Sequence, residues 1–168
     1  MWAETVLNSS NIEYMVFPRL PALAELGWSP KVSRTADSPA YQDFLGRLAA
    51  QGGRWQAAGQ NFYPTPKVPW RLDLAAGRPD ADHGEVSGAL AKLAAPGFGT
   101  GQVTATIDWG DGSSTPGILS GAVSTASTVN GLYDVVSDHS YVHHGSHDVT
   151  VTATAGASTA TVHVTVRT

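Results

Sequence analysis

The sequence predicts a mixed protein in two parts, a mostly helical first half followed by an antiparallel β-sandwich, and three observations lead there. Charge is unevenly placed: residues 1–84 hold 8 Lys and Arg against 8 Asp and Glu, whereas residues 85–168 hold 2 against 6. Threonine, a β-branched residue suited to a pleated, half-exposed surface, rises from 3 in the first part to 13 in the second. The apolar period changes too, from helical spacing at Tyr41, Phe44, Leu45, Leu48 and Ala49 to alternation at Val149, Val151 and Ala153. A chain of 168 residues has room for one full domain plus a remainder, or two small domains, but not for a complete eightfold β/α barrel.

Ser10 and Glu13 fit a capping box, which predicts a helix from about Asn11. Ile12, Met15, Val16, Leu20 and Leu23 continue its apolar face. Pro18 and Pro21 each remove a backbone donor, so a kink or break is expected near Phe17 and an end near Gly27. Ser38-Pro39 forms an N-cap and first-turn pair for a second helix, which should end around Gly52-Gly53 or run on weakly to Ala58. Pro64, Pro66, Pro69 and Pro79 favour an extended connector. Three units follow: 1–73, a linker at 74–83, and a sandwich at 84–168. Strands are expected at Val86–Leu93, Val103–Trp109, Ile118–Ser120, Tyr133–Ser137, Val149–Thr154 and Thr159–Val166, bounded by turn residues.

Several function classes are set aside. A net charge of −4 with ten Lys and Arg provides no basic stripe, so no nucleic-acid partner is expected. No apolar run approaches the length of a membrane span. Glu4 and Glu13 in the first twenty residues, with no basic start ahead of an apolar core, argue against a signal peptide in this chain. The absence of cysteine excludes disulfides, thiolate-bound zinc and a thiol nucleophile.

At the N-terminus a strand through Met1-Trp2-Ala3-Glu4-Thr5 would put Trp2 and Glu4 on one face. An indole can lie against the C–H face of a pyranose while a carboxylate accepts hydroxyl hydrogen bonds; the structural alternative is a core Trp beside a surface Glu. The longer string tilts the balance. Trp2-Ala3-Glu4, Ile12-Glu13-Tyr14-Met15, Phe17 to Glu25 with its Pro-Arg-Leu segment, Trp28-Ser29, Tyr41, Phe44, Arg47-Leu48 and Gly59-Gln60-Asn61-Phe62-Tyr63 together resemble the C-terminal end of the catalytic domain of family 20 glycoside hydrolases, the β-N-acetylhexosaminidases.

The resemblance implies that residues 1–73 are a β/α fragment of a TIM barrel, that Trp2 walls the pocket for a terminal N-acetylhexosamine, and that Glu4 binds that sugar's outer hydroxyls. Arg19 is expected to pair with a carboxylate. The reaction implied is substrate-assisted retaining hydrolysis, in which the 2-acetamido oxygen attacks the anomeric carbon, a Glu protonates the leaving oxygen and a neighbouring Asp orients the acetamido group. No Asp-Glu dipeptide occurs in the 168 residues, so no catalytic residue is assigned and the isolated chain is expected to be inactive. Tyr14, Phe17, Leu20, Leu23 and Trp28 should form an exposed apolar patch on a loosely held N-terminal region.

In the second half, Thr106-Ile107-Asp108-Trp109-Gly110-Asp111-Gly112-Ser113, then His139-Ser140-Tyr141, Gly145 and Val149-Thr150-Val151-Thr152, resemble PKD-like domains, immunoglobulin-like modules appended to many secreted bacterial hydrolases. His147 stands where that pattern usually has an aromatic residue. Trp109 is the expected core anchor. His139, His143, His144 and His147 suggest a metal by number, but their spacing favours core or turn histidines. Asp108, Asp111 and Ser113 favour a stabilised turn over a Ca²⁺ site. Gly97 to Gly101 reads as an inter-strand loop rather than a phosphate loop, and Ser137-Asp138-His139-Ser140 lacks the context of a catalytic triad.

No metal and no cofactor are called for. The expected function is that of a fragment of an exported bacterial β-N-acetylhexosaminidase, extracellular or at the cell surface, acting on N-acetylhexosamine-containing glycans such as chitin oligosaccharides. The alternative is a non-catalytic module that binds cell-wall polysaccharide or a protein through its sandwich, or serves as a spacer.

Overall fold

The computed structural model describes residues 6–30, 35–121 and 130–168. Helix α1 (Ser9–Val16) is capped by Asn8, whose side chain accepts from the Asn11 N–H, while Asn11 Oδ1 accepts from the Leu7 N–H. That exchange replaces the expected Ser10–Glu13 box and leaves the Glu13 carboxylate free to accept from the Asn61 N–H at 2.9 Å. The chain breaks at the cis Phe17–Pro18 peptide, where the spacing predicts a break, and resumes as α2 (Arg19–Trp28). Helix α3 (Pro39–Ala57) starts at Ser38, whose side chain accepts from the Tyr41 N–H. It runs through Gly52-Gly53 because these glycines serve close approach: a Cβ on Gly52 would lie 2.9 Å from the Trp70 ring.

Ten strands follow among the described residues: β1 (Asp73–Ala76), β2 (Asp80–Asp82), β3 (Glu85–Ser87), β4 (Ala89–Pro96), β5 (Thr104–Asp108), β6 (Ser114–Ser120), β7 (Asn130–Val136), β8 (His139–Ser140), β9 (Ser146–Ala155) and β10 (Ser158–Arg167). Seven form one sheet in the order β1-β4-β7-β6-β5-β9-β10, and β2-β3-β8 form a small second sheet. All the pairings are antiparallel. Because β6 pairs with both β5 and β7, the large sheet is continuous and folds over on itself. Its two ends nearly meet, and the Leu72 N–H just before β1 donates to Ser158 Oγ at the start of β10. Inside lie Leu90, Leu93, Ile107, Trp109, Val135, Val149, Val151 and Ala153, all with no exposed surface.

This architecture corrects the expected fold class. Strands make up 39% of the described residues and helices 26%, so these are mostly β, and the helices are not a fragment of a TIM barrel. Such a barrel is built from parallel strands with helices packed outside them. Here α3 instead lies against β4 and β7 of an antiparallel sheet. The β-sandwich expected for residues 84–168 is compatible with a seven-stranded antiparallel sheet that folds over on itself. Residues 74–83, expected as a linker, carry most of β1 and all of β2. Leu74 pairs with Leu93, and Ala81 with Val86. His83 and Gly84, with φ of 48° and 90°, make the tight turn between β2 and β3.

The Pro-rich stretch is packed rather than merely extended. Phe62, Val68 and Trp70 join Leu45, Leu48, Ala49 and Trp55 of α3 in a second apolar cluster, with Trp55–Phe62 and Phe62–Trp70 ring centroids each 5.1 Å apart. Phe98 packs against both clusters, so the two cores adjoin. Among the described residues, no helix is long and apolar enough to cross a membrane.

Candidate functional site

Trp2 and Glu4, the expected sugar-pocket residues, lie outside the described residues. What the structure brings together is the remainder of the N-terminal string. Glu13 accepts from the Asn61 N–H, and Asn61 Nδ2 donates to the Ser10 carbonyl and Oγ at 3.1 and 3.0 Å. Tyr14 meets Tyr63 edge-on with centroids 5.6 Å apart, and the Tyr63 N–H donates to the Phe17 carbonyl. Segments nearly fifty residues apart are thereby held as one unit.

Between α2 and α3 lies an open groove of about 590 Å³, whose floor and walls include Phe17, Phe44, Leu48 and Trp55. Arg47 of α3 crosses it. Its two terminal nitrogens donate to the two Glu25 oxygens at 2.7 and 3.0 Å, and Nε donates to Asp43 at 2.9 Å. The hydrogen bonds it donates to Glu25, then the one to Asp43, hold the guanidinium pKa above its usual value. The spacing of Asp43 and Arg47 is legible as an i,i+4 pair, whereas the bidentate link to Glu25 spans 22 residues and has no local signal. Arg19, expected to pair with a carboxylate, instead donates to the Met15 carbonyl one turn back, among the described contacts.

Helices α1 and α2 contribute no buried residue, while α3 buries seven. Leu20, Leu23 and Trp28 are 50%, 63% and 90% exposed, and Leu26 joins them. The expected exposed patch is therefore present in those three residues, but Tyr14 and Phe17 are half-buried against Tyr63 and Trp55.

In the β-rich part, the turn between β5 and β6 is closed by its own carboxylates. Asp108 accepts from the Gly110 N–H. Asp111 accepts from the Ser113 Oγ and N–H and contacts His139 Nε2. These bonds, led by the Ser113 hydroxyl, hold the Asp111 carboxyl well below the usual carboxylate range. Trp109, buried as expected, stacks on His139 and donates from Nε1 to Thr115 Oγ1. Tyr141 donates to the Trp109 carbonyl; burial, then Asp111 and Asp108, pushes its pKa up to about 12. His147 stacks on Tyr141 with centroids 3.6 Å apart, so an imidazole fills the place of the expected aromatic ring. His139 meets Tyr141 edge-on while His147 stacks on its ring, and no three His, Cys, Asp or Glu side chains converge as a metal site among the described residues.

Residues 1–31 match the family model described as glycosyl hydrolase family 20, catalytic domain. This N-terminal segment is similar to the family 20 glycoside hydrolases. Over 70 residues the chain is 33% identical to a β-N-acetylhexosaminidase of Cellulomonas fimi, a match covering 42% of this chain and 13% of that protein. Over another 70-residue match it is 34% identical to a β-hexosaminidase of Porphyromonas gingivalis, covering 41% of this chain and 8% of the relative. No solved structure matches. The family 20 match ends within a few residues of the end of α2, so the two helices without buried residues are those within it.

Proposed function

We propose that these 168 residues are part of a longer, exported β-N-acetylhexosaminidase, in which Trp2 and Glu4 contribute to the pocket for a terminal N-acetylhexosamine and the β-rich part is an appended PKD-like module. The observation that carries this reading is the match of residues 1–31 to a glycosidase catalytic domain, together with the similarity to two hexosaminidases. The chain spans only about a tenth of those relatives, and it contains no adjacent Asp-Glu pair to protonate the leaving oxygen and orient the acetamido group. Hydrolysis therefore belongs to the longer protein. Here Trp2 would offer its ring face to the sugar and Glu4 would accept from its hydroxyls.

The test begins with the reading frame before the Met1 codon, which should continue and encode an Asp-Glu pair. In that longer protein, Glu4→Ala should lower kcat/KM on p-nitrophenyl N-acetylglucosaminide about 10- to 100-fold, the range for losing a charge-assisted hydrogen bond. The 168-residue chain alone should not turn the substrate over. A closed frame, or turnover by the short chain that Glu4→Ala abolishes, would overturn the proposal.

A further inference from the structure

A small cleft between the C-terminal half of α3 and the chain entering β1 is lined by charges of both signs. We propose that this cleft, built around Gly53 by Arg54, Arg71 and Asp73, binds a small sugar acid, its carboxylate held by the two arginines and its hydroxyls donating to Asp73. The site is separate from Trp2 and Glu4, and the proposal does not depend on the hexosaminidase reading.

The local sequence places these groups together. Leu72 is buried in the sheet core, while Arg71 and Asp73 on either side of it are exposed. That alternation belongs to extended chain and puts both charged side chains on the face away from the core. The segment is anchored there, because the Leu72 N–H donates to Ser158 Oγ. Across the cleft stand Gly53 and Arg54 of α3. Gly53 lets the two elements close up: a Cβ at this position would lie 2.8 Å from Asp73 Oδ2. A residue that costs a helix about 1 kcal/mol relative to alanine thus sits where the Asp73 carboxylate meets the helix backbone.

The charges themselves point to the ligand. Arg47 is paired with Glu25 and Asp43, and Lys92 with Asp134. In the cleft, opposite charges line one space of about 260 Å³, yet the side chains of Arg54, Arg71 and Asp73 make no hydrogen bond or ion pair with one another or with any other described residue. Two guanidiniums and one carboxylate leave a local charge of +1, which suits a ligand with a single carboxylate gripped by planar donor forks. Asp73 repels that carboxylate and accepts from donors beside it. A hydroxylated ring supplies such donors without adding positive charge, whereas a zwitterionic amino acid brings no net charge to match the site. The volume lies below the usual range for drug-sized ligands and fits one ring rather than a chain.

The test titrates the 168-residue chain with sodium glucuronate and follows the backbone amides by NMR. The Gly53 and Leu72 amides should shift with a dissociation constant on the order of 1 mM, about tenfold tighter than for glucose or acetate, and binding should weaken as salt is added. Arg54→Ala and Arg71→Ala, both at exposed side chains, should melt as the parent does and each weaken glucuronate binding about tenfold. Asp73→Asn should bind acetate more tightly and lose the preference for glucuronate over acetate. Glucose binding as tightly as glucuronate would remove the role of the arginines, and acetate binding as tightly would mean an adventitious ion only; either overturns the proposal. So would glucuronate shifts that persist unchanged in Arg71→Ala, or no shift at these amides.

Discussion

His139 Nε2 lies 2.8 Å from Asp111 Oδ2, and the same imidazole is stacked on Trp109 with centroids 4.5 Å apart. One ring thereby ties the Asp-Gly turn after β5 to the start of β8. Because Asp111 titrates below its unfolded value, the folded state binds this proton less readily than the unfolded chain. Its contribution is complete above the ordinary carboxylate pKa of about 3.9 and is lost as pH falls below it. Urea unfolding between pH 7 and pH 2 should show this acid loss, and Asp111→Ala should be less stable at pH 7 with a shallower fall. A variant as stable as the parent at pH 7 would remove the turn from the account.

Tyr141 gives the opposite limb. Its phenol is raised to about 12, so its contribution is complete below about 10 and is lost as pH rises from there through 12. Tyr141→Phe removes the donor to the buried Trp109 carbonyl and should cost about 1–2 kcal/mol at pH 7. The variant's stability should also decline less between pH 10 and 12 in denaturant titrations.

Gln56 is 4% exposed on α3, and neither its Oε1 nor its Nε2 has a hydrogen-bond partner among the described residues. A buried amide in that state carries its desolvation cost uncompensated. Gln56→Leu, close in volume, should stabilise the protein by about 1–2 kcal/mol in urea unfolding. A loss of stability would mean that the amide is hydrogen-bonded in solution.

The second apolar cluster should behave as true core. Phe62→Ala, at a residue with no exposed surface between Trp55 and Trp70, should destabilise by about 3–5 kcal/mol. Gly52→Val would drive a branched side chain into the Trp70 ring and should cost about 1–3 kcal/mol. If both variants melt like the parent protein, α3 is not fastened to the sheet as described.

The parts of the fold that could be read from the sequence are those with a period. The alternation of Val149, Val151 and Ala153 specified β9, and the Ser38-Pro39 start with Tyr41, Phe44, Leu45 and Leu48 specified α3. Phe62, Val68 and Trp70 gave no such signal, because residues spaced irregularly among prolines are buried by what packs over them rather than by a face of their own. The same limit explains β1 and β2, short strands whose partners lie elsewhere in the chain. At the site, the i,i+4 pair of Asp43 and Arg47 was local and readable. Glu25–Arg47 and Glu13–Asn61 depend on how three helices and a loop meet, which no spacing encodes.

The approach of Leu72 to Ser158 also bears on how the protein behaves when crowded. A long strand at a sheet margin offers a row of unused amides and carbonyls on which a neighbouring molecule can build. Here β10, ten residues long and rich in valine and threonine, is such a strand by composition, and the sheet curls back so that β1 comes close to it, with Ser158 accepting from Leu72 where β10 starts. The margins of the small sheet, at β2 and β8, are three and two residues long, too short to seed growth. Bringing the two ends of the sheet together thus works as insulation where β1 meets β10, crowding the part of the β-prone strand on which a copy would otherwise build.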